Sequence, residues 1–344
     1  MESTVIQRAT GTRRSLRLLT VLGVTLAVIA TGACGTATTE EPAAGGAATP
    51  AAPAAPAAPA VFDDDQYLQN AKEFVDAADW DSASKVRIDL GEMFFEPEDV
   101  RLEAGKPYVI ELVNTGKVKH EFAASKFFRS VATRKVENPG SEVKVPYFTE
   151  IEVFAGESIE LFVIPTVPGS FEMVCEIEGH REAGMEGTIT VTGSAPTVPV
   201  PVIGSVKATP WLQNGPALIE AAAATWDATA QTIQIEAGED GATMFFKPNN
   251  IVLKVGTPYV LELVNVGEIK HEFTADEFFP TIAFRKAEDA FGEYKAPTLK
   301  EAEVKAGSQL DLYLIPTVPG TYDIICEIEG HAEAGMFGTV TVTE

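Results

Sequence analysis

The sequence repeats one motif, first as Cys175-Glu-Ile-Glu-Gly-His180-Arg-Glu-Ala-Gly-Met185 and again as Cys326-Glu-Ile-Glu-Gly-His331-Ala-Glu-Ala-Gly-Met336. Each copy offers a thiol, an imidazole and a thioether at the same spacing. A further histidine lies upstream of each copy in the tetrapeptide Lys-His-Glu-Phe, as His120 and His271. The chain therefore carries two sets of two His, one Cys and one Met. Together the sets contain all four of its histidines.

This combination of donors indicates copper. Soft sulfur ligands together with imidazole select copper, and a trigonal His2Cys plane with a weak axial Met is the blue-copper electron-transfer arrangement. With its C-x4-H-x4-M spacing, the motif resembles that of the cupredoxin family, and most closely its rusticyanin and auracyanin branch. The likeness covers about a hundred residues of each copy.

The resemblance implies a single-copper redox site on each of two Greek-key β-sandwiches. It implies that the first type 1 copper site is formed by His120, Cys175, His180 and Met185. It implies that the second is formed by His271, Cys326, His331 and Met336. In the family the histidine of the C-terminal loop presents its edge at the surface as the electron port, and the upstream histidine is more enclosed.

Two other readings of the sulfur residues stay open on the sequence alone. Cys175 and Cys326 could form a disulfide in an exported protein, and buried methionine is usually core filler. A disulfide would require two equivalent loops of separate repeats to meet. The restriction of every histidine to the motif pattern favours copper.

The motif belongs to a longer duplication. Residues 93–193 align without a gap to residues 244–344 at a constant offset, with about four extra residues before the second copy. Short apolar runs such as Val109–Val113, Ile159–Ile164 and Phe171–Cys175 are separated by Gly, Pro or Asn turns, which is typical of β-sandwich strands. The sequence thus predicts an all-β protein of two sandwiches.

Each sandwich is expected to have a short N-terminal helix. Apolar residues from Leu68 to Ala78 recur at helical spacing after the acidic start at 63–65, and Asn214 with Pro216 marks a second helix start. Further short helices are expected over 125–135 and 276–286, between the first histidine and the cysteine of each set.

The sequence predicts five segments. Residues 1–33 read as a signal peptide, with arginines before an apolar run too short for a membrane span. Residues 34–61 contain a candidate lipid-attachment cysteine, Cys34, and an Ala/Pro-rich linker. Residues 62–193 and 211–344 are the two cupredoxin domains, and 194–210 is a Pro-rich connector. These features predict an exported chain at the periplasmic or extracellular face, anchored to the membrane by lipid.

The formal charge of −24 argues against nucleic acid as a partner and favours a basic protein. Three glutamates surround each loop histidine: Glu176, Glu178 and Glu182 in the first copy, and Glu327, Glu329 and Glu333 in the second. We expect a redox partner such as a basic c-type cytochrome or a membrane electron-transfer complex. Glu186 follows the first axial Met and Phe337 the second, which predicts a higher reduction potential for the second site.

The resulting functional prediction is an extracytoplasmic electron-transfer protein with two type 1 coppers. A copper carrier without a redox role is the alternative. An enzyme is not expected, because a type 2 or trinuclear copper centre needs further histidines and the sequence has none left over.

Overall fold

Alternating apolar residues build the strands of two large sheets. The computed structural model describes residues 62–344. The predicted signal peptide, Cys34 and the linker lie outside these residues. No helix between residues 62 and 344 is long and apolar enough to cross a membrane.

The first repeat, residues 62–193, is mostly strand. Its strands are β1 Gln66–Leu68, β2 Ser84–Gly91, β3 Phe94–Glu96, β4 Asp99–Glu103, β5 Tyr108–Asn114, β6 His120–Ala123, β7 Val131–Glu137, β8 Ser141–Lys144, β9 Glu150–Val153, β10 Ser158–Pro165, β11 Gly169–Val174 and β12 Glu186–Thr192. Its helices are α1 Ala71–Ala77 and α2 Ser125–Ser130, with a 3-10 turn at Trp80–Ser82. The connector contributes β13 Ile203–Ser205 and a 3-10 turn at Val206–Ala208.

The second repeat, residues 211–344, follows the same order. It begins with α3 Gly215–Ala223 and α4 Trp226–Thr229, and has a 3-10 turn at Phe279–Thr281. Its strands are β14 Gln231–Asp240, β15 Thr243–Lys247, β16 Asn250–Lys254, β17 Tyr259–Asn265, β18 His271–Thr274, β19 Ile282–Glu288, β20 Gly292–Lys295, β21 Glu301–Val304, β22 Gln309–Pro316, β23 Gly320–Ile325 and β24 Phe337–Thr343.

Each large sheet runs through both repeats. One has the strand order β16-β24-β23-β18-β21-β8-β7-β10-β5-β2-β3, and the other β15-β14-β17-β22-β19-β20-β9-β6-β11-β12-β4. Apolar side chains from both sheets, such as Leu161 on β10 and Ile151 on β9, are fully buried in one continuous core. The predicted all-β fold of two sandwiches, each preceded by a short helix, is confirmed.

Two antiparallel strand pairs join the repeats, and we call them the seam. Strand β8 pairs with β21, and β9 pairs with β20. The repeat relates these pairs to each other, so their ion pairs also match. Lys144 Nζ lies 2.5 Å from Glu301 Oε1, and Lys295 Nζ lies 2.6 Å from Glu150 Oε1. The seam therefore has an approximate two-fold arrangement, as in an isologous dimer.

The first helix begins later than the sequence predicts. Residue Leu68 lies in β1, which pairs with β13 of the connector through Leu68 and Ile203. The Asn70 side chain accepts a hydrogen bond from the Val202 amide at 2.9 Å, and α1 starts only at Ala71. A tertiary contact with the connector thus converts the expected first helical turn into a strand.

The helices expected between the first histidine and the cysteine are also shorter than predicted. In the first repeat α2 ends at Ser130 and β7 follows directly. In the second repeat only the 3-10 turn Phe279–Thr281 is present. It contains Pro280, which has no backbone N–H to donate and so disfavours an α-helix there.

Candidate copper sites

Strand pairing brings the first histidine and the cysteine of each set together. In the first repeat His120 is the first residue of β6 and Cys175 directly follows β11. The two strands pair through Ala123 and Val174. The amide of Glu121 lies 3.4 Å from Cys175 Sγ as a hydrogen-bond donor. An N–H directed at the sulfur stabilises a thiolate and orients it.

A tight loop then returns the second histidine and the methionine to the same place. The His180 amide donates to Ile177 O at 3.0 Å, and the Met185 amide donates to His180 O at 3.0 Å. The Cys175 amide donates to Met185 O at 3.1 Å and closes the loop. Gly179 has a φ of 84°, a left-handed conformation that a side chain would strain. The glycine before the loop histidine is therefore a backbone requirement of this loop.

The second repeat reproduces this arrangement. His271 begins β18, Cys326 follows β23, and the amide of Glu272 lies 3.3 Å from Cys326 Sγ. The Cys326 amide donates to Met336 O at 3.1 Å, and the Met336 amide donates to His331 O at 3.0 Å. The same local geometry has thus formed twice from the same motif.

The structure brings both predicted sets of histidine and cysteine ligand atoms together. Ligand atoms of His120, Cys175 and His180 lie within 4.8 Å of one another, as do those of His271, Cys326 and His331. Met185 and Met336 are fully buried and are tied by backbone hydrogen bonds to the loop histidines. Cys175 and Cys326 are free thiols in the structure, so the disulfide reading is not realised there.

The chemistry of these atoms fits a soft cation. In each repeat the cysteine Sγ lies 3.3 Å from the loop histidine Nδ1. In the second repeat the Nδ1 atoms of His271 and His331 also face each other at 3.3 Å. Nδ1 of His120 is buried without a hydrogen-bond partner. Converging lone pairs and an unpaired buried nitrogen are costly unless a shared cation satisfies them.

Burial sets the protonation of the ligands. Desolvation lowers the pKa of His120, His271 and His331 below the ordinary value, so these imidazoles are neutral and able to coordinate. Desolvation also raises the pKa of Cys175 and Cys326. Each thiol therefore keeps its proton near neutral pH until a metal ion displaces it, and metal loading releases that proton.

Exposure separates the two histidines of each set. His120 is fully buried, whereas His180 is 9% exposed; His271 is 1% exposed and His331 is 6% exposed. The loop histidines are thus the ones that reach the surface, as the family resemblance implies. The six glutamates expected around them, at positions 176, 178, 182, 327, 329 and 333, are all exposed. They form an acidic rim beside each loop histidine.

A second group of acids lies on the seam side of each site. Burial and the neighbouring Glu150 raise the pKa of Glu121 to about 8. In the second repeat burial and Glu301 raise the pKa of Glu272 to about 7. These glutamates follow the upstream histidines directly. Their raised pKa values reduce the negative charge placed next to each site at neutral pH.

Sequence reasoning missed one further pair of residues. Glu92 Oε2 lies 3.4 Å from His120 Nε2, and Glu239 Oε1 lies 3.2 Å from His271 Nε2. A Gly-Glu pair near the end of β2 and of β14 supplies both carboxylates. The extra residues after Glu239 shift the offset between the repeats at this point. An alignment at one constant offset therefore places a different residue opposite each glutamate.

Comparison with known proteins identifies the family. Residues 233–343, most of the second repeat, match the family described as copper binding proteins of the plastocyanin/azurin type. These residues form a cupredoxin domain. In the first repeat of this cupredoxin, the same ligand types occur on corresponding elements.

One curated relative is the copper-resistant cuproprotein CopI of Rubrivivax gelatinosus. It is 30% identical over an alignment of 116 residues, and the match covers 31% of this chain and 65% of the relative. The cupredoxin thus spans just under two thirds of the length of this relative. The family match and this relative are both copper proteins, and the chain is a copper-binding, cupredoxin-like protein.

Solved structures of copper proteins resemble the chain more remotely. Auracyanin B is 22% identical, with a TM-score of 0.24, covering 34% of this chain and 91% of that protein. A copper-containing nitrite reductase from Thermus scotoductus SA-01 is 15% identical, with a TM-score of 0.29, covering 76% of this chain and 62% of that protein. At TM-scores this low, neither likeness bears on the function of the cupredoxin.

Proposed function

We propose that this cupredoxin holds two type 1 copper sites and transfers single electrons outside the cytoplasm. The observation that supports this most is the pair of buried clusters in which two imidazoles and one thiol converge. Each cluster also has a buried methionine tied to its loop histidine. These are the donor types of a blue-copper site, and they occur twice at equivalent positions.

The protein residues perform three tasks in this proposal. Copper, when bound, supplies one-electron chemistry by cycling between its two oxidation states. In the first repeat, β6 and β11 fix the position of one histidine and the cysteine. In the second repeat, β18 and β23 do the same. The closed loops fix the other histidine and the methionine. Ligands anchored in a close-packed sandwich move little, and a small reorganisation favours rapid electron transfer.

The partners proposed for this function are basic. The acidic rims around His180 and His331 would steer a basic c-type cytochrome, or a basic part of a membrane electron-transfer complex, toward the loop histidines. Export by the segment at 1–33 and lipid attachment at Cys34 would hold the protein at the outer face of a membrane. A nucleic-acid partner remains excluded from the proposal by the net charge of −24.

The number of histidines favours an electron carrier over an enzyme. The sequence has four histidines, and all four belong to the two proposed sites. A type 2 or trinuclear copper centre would need further imidazoles. We therefore propose that the chain has no catalytic copper centre of its own.

Copper handling without electron transfer is the second candidate. It is favoured by the likeness to a relative described as a copper-resistant cuproprotein. In that case the two sites would exchange copper with a partner. Slow exchange together with rapid oxidation of a reduced cytochrome would favour electron transfer, and the opposite pattern would favour the carrier role.

The decisive experiment combines copper content with the visible spectrum of the oxidised full chain. We expect two coppers per chain and an intense band from thiolate-to-copper charge transfer. Cys175→Ser and Cys326→Ser should each remove one copper and part of the band, and the double variant should remove both. A full chain that binds copper without such a band would contradict type 1 sites. Unchanged copper content in both single variants would contradict the assigned ligands.

A further inference from the structure

A carboxylate lies against the outer nitrogen of the upstream histidine in both repeats. Glu92 Oε2 is 3.4 Å from His120 Nε2, and Glu239 Oε1 is 3.2 Å from His271 Nε2. Each approach is close but is not an aligned hydrogen bond, since both Nε2 atoms are buried without a hydrogen-bond partner. The same contact occurs in both repeats, although the residues between the glutamate and the histidine differ between them.

The carboxylates are themselves fixed in place. Glu92 Oε1 accepts a hydrogen bond from the Lys117 amide at 2.5 Å. Glu239 accepts from the amides of Glu268 and Ile269 at 3.1 and 3.2 Å. These amides belong to the turn that leads into the histidine strand. Each glutamate thus joins the end of one strand, that turn and the imidazole.

Glycine provides the space for this arrangement. A Cβ atom on Gly116 would lie 2.8 Å from Glu92 Oε2 and 2.9 Å from His120 Nε2. A Cβ atom on Gly267 would lie 2.0 Å from Glu239 Oε2. Any side chain at either position would displace the carboxylate from the imidazole. The turn is therefore built to let the two groups meet.

We propose that Glu92 and Glu239 are positioning residues that set the tautomer of the upstream histidines and lower the reduction potential of each copper site. This rests on the proposed type 1 sites. An imidazole that would hold copper through Nδ1 carries its proton on Nε2, and this N–H would donate a hydrogen bond to the carboxylate. Such a partner orients the ring and makes it a more basic ligand. The added negative charge favours the more positive, oxidised ion.

The two sites should respond unequally. The Glu92 side chain is 46% exposed, whereas that of Glu239 is 18% exposed and lies closer to its histidine. Water screens the first carboxylate more strongly. The loss of Glu239 should therefore change its site more than the loss of Glu92 changes the other.

The test measures reduction potentials in full chains that keep one copper site each. Glu92→Gln is made in the Cys326→Ser chain, and Glu239→Gln in the Cys175→Ser chain. We expect both potentials to rise, and the rise to be larger for Glu239→Gln. A tenfold loss of Cu(II) affinity at unchanged Cu(I) affinity corresponds to about 59 mV. Loss of a group that hydrogen-bonds a metal-binding histidine typically lowers metal affinity about 10- to 100-fold.

Matched control variants distinguish the effect of the contact with the imidazole from the effect of a nearby negative charge. Glu178→Gln and Glu329→Gln each remove one exposed carboxylate near the loop histidine without touching the upstream one. Glu92→Asp and Glu239→Asp keep the charge but shorten its reach. If the contact matters, the Asp variants should shift in the same direction as the Gln variants. Potentials that move no further in the Gln variants than in the loop controls would overturn the proposal.

Nitrogen NMR of the reduced, unsubstituted full chain gives a reading that needs no variant. We expect His120 and His271 to carry their protons on Nε2. The chemical shifts of these protons should be typical of an N–H group that donates to a strong acceptor. Nε2 protons with the shifts of a water-exposed imidazole would also overturn the proposal. Failure of the proposed function would be visible earlier, as a parent chain without blue copper. A blue parent with unmoved potentials would contradict only the role of the glutamates.

Discussion

A polar cluster beside the seam can be tested by changing one atom. Asn138 Nδ2 donates to Asp289 Oδ2 at 2.6 Å and to Tyr294 Oη at 2.5 Å, and Asn138 is 5% exposed. The amides of Gly140 and Ser141 donate to Asn138 Oδ1. Asn138→Asp keeps those acceptor contacts but replaces the donor with an oxygen. Two carboxylates would then face each other across the seam.

The size of the effect follows from this geometry. Two unit charges about 4 Å apart repel by about 4 kcal/mol at an effective dielectric constant of about 20. Uptake of one proton limits the cost, because protonating an aspartate of ordinary pKa near 4 at pH 7 requires about 4 kcal/mol. The free energy of unfolding should therefore fall by about 4 kcal/mol at pH 7. At pH 5 the same limit is about 1.5 kcal/mol.

The sign of the pH dependence is definite. The shared proton gives the folded pair a pKa above that of the unfolded carboxyl groups. The variant is thus least destabilised below about pH 4 and loses about 1.4 kcal/mol for each pH unit from there to about pH 7, where the loss reaches the repulsion energy of about 4 kcal/mol. Urea unfolding of the copper-free chain at pH 5 and pH 7, followed by circular dichroism, measures this difference.

The exchange variant Asn138→Asp with Asp289→Asn provides the control. It restores one donor and one acceptor to the same pair of positions, so most of the lost stability should return. A loss of equal size at both pH values would refute the charge argument. Failure of the exchange to restore stability would show that the two residues do not act as a pair.

Three other outcomes follow from the structure. Glu186→Phe should raise the reduction potential of the first site, and Phe337→Glu should lower that of the second, both measured in chains that keep one site. Arg181 Nε lies 3.5 Å from Glu186 Oε2 and offsets its charge, so the first shift should be the smaller. Because burial raises the pKa of Tyr294 well above 10.0, its unfolded form ionises first, so unfolding stability should fall as pH rises past about 10, and less steeply in Tyr294→Phe. Removing copper should lower the melting temperature, since ligand at a hundredfold excess over Kd contributes about 2.7 kcal/mol per site. Unchanged potentials, equal alkaline slopes or equal melting temperatures would contradict these expectations.

In the two proposed copper sites, two influences on the reduction potential oppose each other. The apolar Phe337 beside Met336 favours a higher potential at the second site, which is the prediction made from the sequence. The less exposed carboxylate of Glu239 favours a lower one. Only the first influence can be read from neighbouring positions in the chain. The second depends on a contact between residues that are 32 positions apart.

The candidate sites were predictable because their donors are local or repeated. Cys175, His180 and Met185 lie in one short loop whose glycine and hydrogen-bond pattern closes on itself. The sequence motif therefore carries most of the geometry. His120 could be added because its tetrapeptide recurs before the second motif. Glu92 could not, because the repeats lose their common offset there.

The fold class was predictable from strand periodicity, but the seam was not. The sequence of an edge strand does not indicate which other strand will pair with it. The apolar pattern of β8 and β9 is equally compatible with an edge facing solvent or a neighbouring repeat. The start of α1 was mispredicted for a related reason, since the pairing of Leu68 with Ile203 depends on the path of the connector.

The continuity of the two sheets has a consequence for how such a chain resists aggregation. A single repeat would leave the edges of β8 and β9 bare, and bare edges recruit other strands. Covalent duplication supplies the complementary edges within the same molecule. Their meeting then depends on a local concentration set by the connector and is independent of how much protein is present. The second copy thus covers the strand edges of the first, and these edges are no longer free to pair with another molecule.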